Sequence, residues 1–261
     1  MAPASLNHHR GGAGEPLLLL HGIGSQWQMW EPVLPALEAE HEVLAVDMPG
    51  FGGSPLLPPG KTPDPEGLAD ALEAWLDGLG VGAVHVAGNS LGGWVALELA
   101  KRGRTLSACA LSPAGFWTTA EQRYATISLR VSHAAATVIG PRAETLLANS
   151  KVRKATNAQL MAHADRLTPQ EAAGALKNLA ASPGWKVTLD AMGKRTFTGG
   201  ADVRGPVTIA WGQKDRLLIP RQAARARAQL PQARHIWLTD CGHVPTWDGP
   251  EVVTQAILSS R

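Results

Sequence analysis

The run Gly88-Asn89-Ser90-Leu91-Gly92 sets one hydroxyl between two glycines. Residues 84–87 before it form an apolar run of strand length, and residues 91–101 after it have helical period. A G-x-S-x-G pentapeptide between a strand and a helix lifts its serine onto a tight, strained turn at the carboxyl edge of a sheet. Gly88 and Gly92 lack a Cβ, so the chain can close around that turn. Five such residues alone also describe an ordinary Gly-rich turn; the strand-turn-helix setting is what gives the run its chemical meaning. Ser90 is therefore the expected nucleophile.

A serine hydroxyl attacks poorly unless a base removes its proton. Of the nine histidines, His243 lies in Cys241-Gly242-His243-Val244-Pro245, after an apolar run and directly behind a glycine that permits a sharp turn. His8 and His9 fall in a polar stretch, His41, His85 and His235 border strands, and His133 and His163 lie in a central helical region. A third group must orient the imidazole. Asp215, in Trp211-Gly212-Gln213-Lys214-Asp215-Arg216, follows a strand and completes the chain order Ser90, Asp215, His243. Asp202 precedes its strand, at the wrong end of the sheet, and Asp240 is expected to shape the turn before His243.

A tetrahedral intermediate needs donors for its oxyanion. The N–H of Leu91 is one. The other comes from the loop His21-Gly22-Ile23-Gly24, where Ile23 is the first choice and Gly24 the second, with His21 bracing the loop. Gly24, Trp27, Asn89, Trp94 and Val244 adjoin these segments and are the expected substrate contacts, with Trp30 and Trp247 similarly placed. Ordinary core packing is the competing account of each tryptophan. No H-E-x-x-H or C-x-x-C is present, so neither a metal nor another cofactor is expected.

The elements that must hold these residues alternate along the chain. Residues 17–20, 43–46, 84–87 and 106–111 read as strands, and 27–39, 66–79 and 91–101 as helices. Apolar strands separated by helices imply a parallel sheet covered on both faces. The rhythm breaks at Pro113. Residues 121–138, 143–153, 157–166 and 169–180 are helix-prone with no convincing strand among them, and alternation resumes with strands at 207–211 and 235–238 and helices at 221–230 and 250–259. The expected fold class is α/β, a mostly parallel sheet flanked by helices. Its core spans residues 1–113 and 201–261, and a helical insertion spans 114–200.

The chain has 261 residues, 44% hydrophobic and 18% charged, with a formal net charge of +2. That composition suits one globular enzyme with a sizeable core, and the near balance of charge argues against nucleic acid as partner. Two cysteines, no apolar run in residues 1–14 and no membrane-length apolar stretch lead to an expectation of a reduced, cytoplasmic protein without a membrane partner.

Five segments together resemble the α/β-hydrolase superfamily: residues 17–24 (LLLLHGIG), 47–54 (DMPGFGGS), 86–93 (VAGNSLGG), 211–220 (WGQKDRLLIP) and 241–248 (CGHVPTWD). The resemblance implies a serine hydrolase whose 114–200 insertion is a cap. The Gly-Asn-Ser-Leu-Gly-Gly run is similar to that of small-molecule esterases, cofactor-free perhydrolases and carbon–carbon bond hydrolases. Serine at 90 speaks against the branches that use aspartate there. The expected reaction is hydrolysis of a small carboxylic ester or related acyl compound. One alternative is carbon–carbon cleavage of a vinylogous diketone acid, held by Arg123, Arg130, Arg142, Arg153 or Arg166. Another is a slow-turnover ligand receptor. Only about sixteen residues precede the Leu17 strand, so the family's first strand is expected to be short or absent.

Overall fold

The computed structural model describes residues 5–193 and 195–261. Residues 1–4 of the polar N-terminal stretch and position 194 of the insertion lie outside the described residues. The chain opens with β1 (His8–Gly11), β2 (Pro16–Leu20), a 3-10 turn (Trp27–Trp30), α1 (Leu34–Glu38), β3 (Glu42–Val46) and α2 (Pro65–Gly78). β4 (Val84–Asn89), α3 (Leu91–Lys101) and β5 (Thr105–Leu111) follow. Five helices come next: α4 (Thr119–Ile139), α5 (Ala143–Leu147), α6 (Ser150–Asn157), α7 (Pro169–Ala181) and α8 (Trp185–Met192). The chain ends with β6 (Val207–Gly212), α9 (Gln222–Gln229), β7 (Arg234–Leu238) and α10 (Pro250–Leu258).

The sheet has seven strands in the order β1-β3-β2-β4-β5-β6-β7. The four-residue β1 runs antiparallel to β3, and the other pairs are parallel. Successive strand side chains point to opposite faces. Leu18, Leu20, Leu44 and Val46 therefore pack with α2 and α3, while Leu17, Leu19, Val43 and Ala45 pack on the opposite face with α1 and α10. Both faces are covered, which is why the strands read as unbroken apolar runs.

Four local expectations change, the first at residues 143–153, which form two helices, α5 and α6, because Asn149 caps α6 by accepting from the Lys151 N–H at 2.9 Å. Residues 27–39 form a 3-10 turn and a short helix instead of one helix, because Pro32 and Pro35 lack the N–H that a continuous helix needs. Residues 157–166 do not form a helix: α6 ends at Asn157 and only a 3-10 turn (Ala164–Arg166) follows. The N–H groups of Ala162 and His163 go to the Asp248 carboxylate at 2.8 and 2.7 Å, which removes them from any helical ladder. α8 is an additional helix, beginning directly after Pro183 and Gly184, which look like a break in the sequence.

The segment between β5 and β6 has a small apolar cluster of its own around Leu147, Met161, Leu167, Ala172 and Ala173. It is tied to the sheet at several points. Thr118 and Glu121 form a capping box at the start of α4. The Glu121 carboxylate also accepts from Arg221 at 2.6 Å and from Arg225. Further on, the Gly184 N–H donates to Gly50 O at 2.8 Å, and a Cβ on Gly184 would lie 2.7 Å from that same oxygen. Among the described residues no helix is long and apolar enough to cross a membrane.

β2 and α3 meet at equally close quarters. A Cβ on Gly92 would lie 2.2 Å from Leu20 O, a backbone atom at the carboxyl end of β2, which is held between β3 and β4 and cannot easily move aside. Gly92→Ala is expected to cost about 3 kcal/mol in urea unfolding; a loss below about 1 kcal/mol contradicts this account of the packing.

Candidate active site

Ser90 caps α3 with φ 58° and ψ −115°, a left-handed backbone that side chains other than glycine rarely adopt. Its surroundings hold it there. The Ser90 N–H donates to Leu111 O at 3.0 Å, and Ser90 O accepts from Trp94 at 3.1 Å and Ala114 at 3.0 Å. Gly88 permits the turn, since a Cβ there would stand 2.1 Å from Gly92 O. The hydroxyl is thus raised above the carboxyl ends of β4 and β5, at the amino end of α3, where unpaired N–H groups favour negative charge.

His243 and Asp215 come together on the same rim, both buried. His243 Nδ1 lies 2.8 Å from Asp215 Oδ2. A carboxylate only accepts, so Nδ1 carries the proton and Nε2 keeps a free lone pair, as a base requires. Asp215 Oδ1 accepts from the N–H groups of Leu217 at 2.9 Å and Leu218 at 2.8 Å. Asn89 fixes the serine turn to the histidine loop, because its Nδ2 donates to His243 O at 2.8 Å and Leu111 O at 3.1 Å. Among the described residues no hydrogen bond joins the Ser90 hydroxyl to the His243 ring itself; such bonds commonly tighten only once substrate is bound.

The loop after β2 lies against the serine. A Cβ on Gly22 would sit 3.3 Å from Ser90 Cβ. His21 holds this loop, with Nε2 accepting from Met48 N at 2.9 Å and Nδ1 donating to Gly22 O at 2.7 Å. Burial pushes its pKa down, so it stays neutral and keeps this tautomer. The N–H groups of Ile23 and Leu91 donate to no backbone carbonyl among the described residues, which leaves both for a ligand oxygen.

A cavity of about 20 Å³, room for roughly one water, lies over Ser90. Its floor includes Ile23, Ala114, Leu217 and Leu218, and its roof includes Ala125 and Leu129 of α4 and Leu189 and Met192 of α8. Gln122 and Thr126 add polar atoms, and no charged side chain lines it. A wider groove of about 460 Å³ opens between α9 and β7, away from every expected site residue.

None of Gly24, Trp27, Asn89, Trp94 or Val244 lines the cavity over Ser90. Trp27 stacks on His9 at 5.1 Å and donates its N–H to Asp47 at 2.8 Å. Trp94 is core, bonded to Glu98 at 3.1 Å and standing behind Trp117, which does line the cavity. Asn89 spends its amide N–H groups on backbone, Gly24 packs against Leu179 and Trp185, and Val244 donates its N–H to Leu160 O at 2.8 Å. The cavity residues of α4 and α8 carry no signal in the sequence, since only docking of distant helices brings them over the serine. Asp248 was legible only as part of the CGHVPTWD segment, not as a site residue.

Among the described residues no three metal-ligating side chains are grouped. Cys109 and Cys241 are buried and unpaired, and desolvation pushes each thiol up to about 12.

The alpha/beta hydrolase family matches residues 17–256. A pimeloyl-[acyl-carrier protein] methyl ester esterase of Aromatoleum aromaticum is 34% identical over 260 residues, covering 90% of this chain and 93% of that protein. A dihydrolipoyllysine-residue acetyltransferase component of an acetoin cleaving system, from Pseudomonas putida, is 30% identical over 251 residues. The match takes in 95% of this chain, which spans 64% of the length of that relative. Among solved structures, a thermophilic esterase from Thermogutta terrifontis is 27% identical with a TM-score of 0.75, covering 97% of this chain and 91% of that one.

Proposed function

Because the chain belongs to the alpha/beta hydrolase family, we propose that it hydrolyses small, uncharged carboxylic esters through an acyl-enzyme on Ser90. The observation that carries this reading is the buried 2.8 Å hydrogen bond between Asp215 and His243, beside a serine held at φ 58°. His243 Nε2 takes the Ser90 proton as Oγ attacks the ester carbonyl. The oxyanion is received by the N–H groups of Leu91 and Ile23, preorganised by the α3 terminus and the loop that His21 holds. The alcohol leaves with the proton from His243. Water then attacks the acyl-enzyme with His243 again as base, and the acid departs.

In this reading residues 114–200 are the cap. α4 and α8 roof the site, exclude water and form the acyl pocket. The 20 Å³ cavity is its closed state, and entry of substrate requires these helices to part. The chain spans 64% of the length of the acetyltransferase-component relative, and the activity in that protein's name is not carried over to this chain. The two buried thiols suit a reducing, cytoplasmic compartment.

The carbon–carbon bond reading needs a cation to hold the substrate carboxylate. None of Arg123, Arg130, Arg142, Arg153 or Arg166 lines the cavity. Arg130 pairs with Asp190, Arg153 caps the Leu147 and Ala148 carbonyls, and Arg166 donates to Asp248 O. A neutral, apolar acyl group fits this lining better.

A series of p-nitrophenyl esters tests the proposal. The ratio kcat/KM should be highest for acetate to butyrate and fall at least about tenfold by octanoate, each misfit methylene costing on the order of 1 kcal/mol or more. The succinate half-ester should be poorer than butyrate. Preference for the charged acyl group favours the carbon–carbon reading, and a single burst without turnover favours a receptor.

A further inference from the structure

We propose that Asp248 is a positioning residue for the base, holding the His243 loop in register while tying it to the segment that follows α6. This rests on the reading of His243 as the base. The carboxylate is buried and bound entirely by backbone. Oδ2 accepts from Gly242 N at 2.7 Å and from Ala162 N at 2.8 Å, and Oδ1 accepts from His163 N at 2.7 Å. Hydrogen bonds to an ionised acceptor are about twice as strong as neutral ones.

These bonds complete a frame around one imidazole. The peptide before His243 is fixed by Asp248 through Gly242. The His243 carbonyl is fixed by Asn89 at 2.8 Å. The N–H after it, on Val244, is fixed by Leu160 O at 2.8 Å. The backbone of residues 160–162 presses on the loop so closely that a Cβ on Gly242 would stand 2.9 Å from Ala162 N and Leu160 O. Two of these three anchors therefore come from or through the insertion, and among the described residues the Asp248 side chain hydrogen-bonds to both pieces. Asp215 sets the ring's tautomer; Asp248 sets where the ring's backbone stands.

Asp248→Asn tests this in the full chain. Two donors converge on one oxygen and a third on the other, so whichever way an amide turns, its NH₂ faces an N–H. A misplaced base by about 1 Å lowers kcat by about 10- to 100-fold. KM for p-nitrophenyl butyrate should stay within about threefold, because Asp248 does not line the cavity. The far-downfield proton resonance of His243 Nδ1–H should shift or broaden in Asp248→Asn while persisting in Ser90→Ala. Should the asparagine variant not fold, Asp248→Glu, which keeps the charge but displaces the oxygens, is measured in the same way. A kcat within twofold of wild type with an unchanged resonance overturns the proposal. So does a loss that affects kcat and KM alike, tracks Tm and vanishes on cooling. Retained hydrolysis in Ser90→Ala would instead overturn the reading of the site, and the resonance would still report what Asp248 does.

Discussion

Replacing Ser90 with alanine should reduce ester hydrolysis to background, a fall of about 10⁴- to 10⁶-fold in kcat, without unfolding the protein. The side chain makes no hydrogen bond among the described residues, so its removal leaves no partner stranded. The backbone bonds to Leu111, Trp94 and Ala114 that set the turn do not involve the hydroxyl. Alanine inherits the same strain at φ 58°, so Tm should change little. A fluorophosphonate should label the wild-type protein at residue 90 and leave the variant unlabelled by intact mass. Retention of more than about a hundredth of the activity would remove Ser90 from the nucleophile's place.

Asp215→Asn should cost about 10⁴-fold in kcat with the fold intact. The direction follows from how the carboxylate is used. One oxygen accepts from Leu217 and Leu218, so an asparagine keeps its carbonyl there. Its NH₂ then faces His243 Nδ1, where Asp215 now accepts at 2.8 Å. The imidazole must turn its lone pair to Nδ1 and carry its proton on Nε2, the atom that has to receive the serine proton. A loss below about tenfold would assign the orienting role to another acid. Asp240 is poorly placed for it: it is exposed, and Lys214 and His163 already hold its carboxylate.

The sequence exposes the strands and the three motif residues for one reason: each depends on a few adjacent residues. A strand buried on both faces is apolar along most of its length, as Leu17–Leu20 are, and the serine turn needs glycine at 88, where a Cβ would strike Gly92 O only four residues on. The cavity depends on docking. Ala125, Leu129, Leu189 and Met192 look like any apolar helix positions until α4 and α8 fold over Ser90. Residues 157–166 have helical character, but a carboxylate more than eighty residues away captures their N–H groups. Trp27 and Trp94 adjoin the site segments in sequence, yet their rings turn to His9 and Glu98. Nearness along the chain does not give the direction of a side chain.

The backbone-to-backbone touch between Gly50 and Gly184 limits how this molecule can be re-engineered. Neither position has space for even a methyl group, since each glycine's added carbon would stand within 2.8 Å of the other's main chain. Grafting a foreign roof onto this sheet, to change which esters it accepts, must therefore bring a glycine to seat against residue 50. Shuffled libraries that ignore the pairing should yield insoluble chimeras however well the new helices match the pocket.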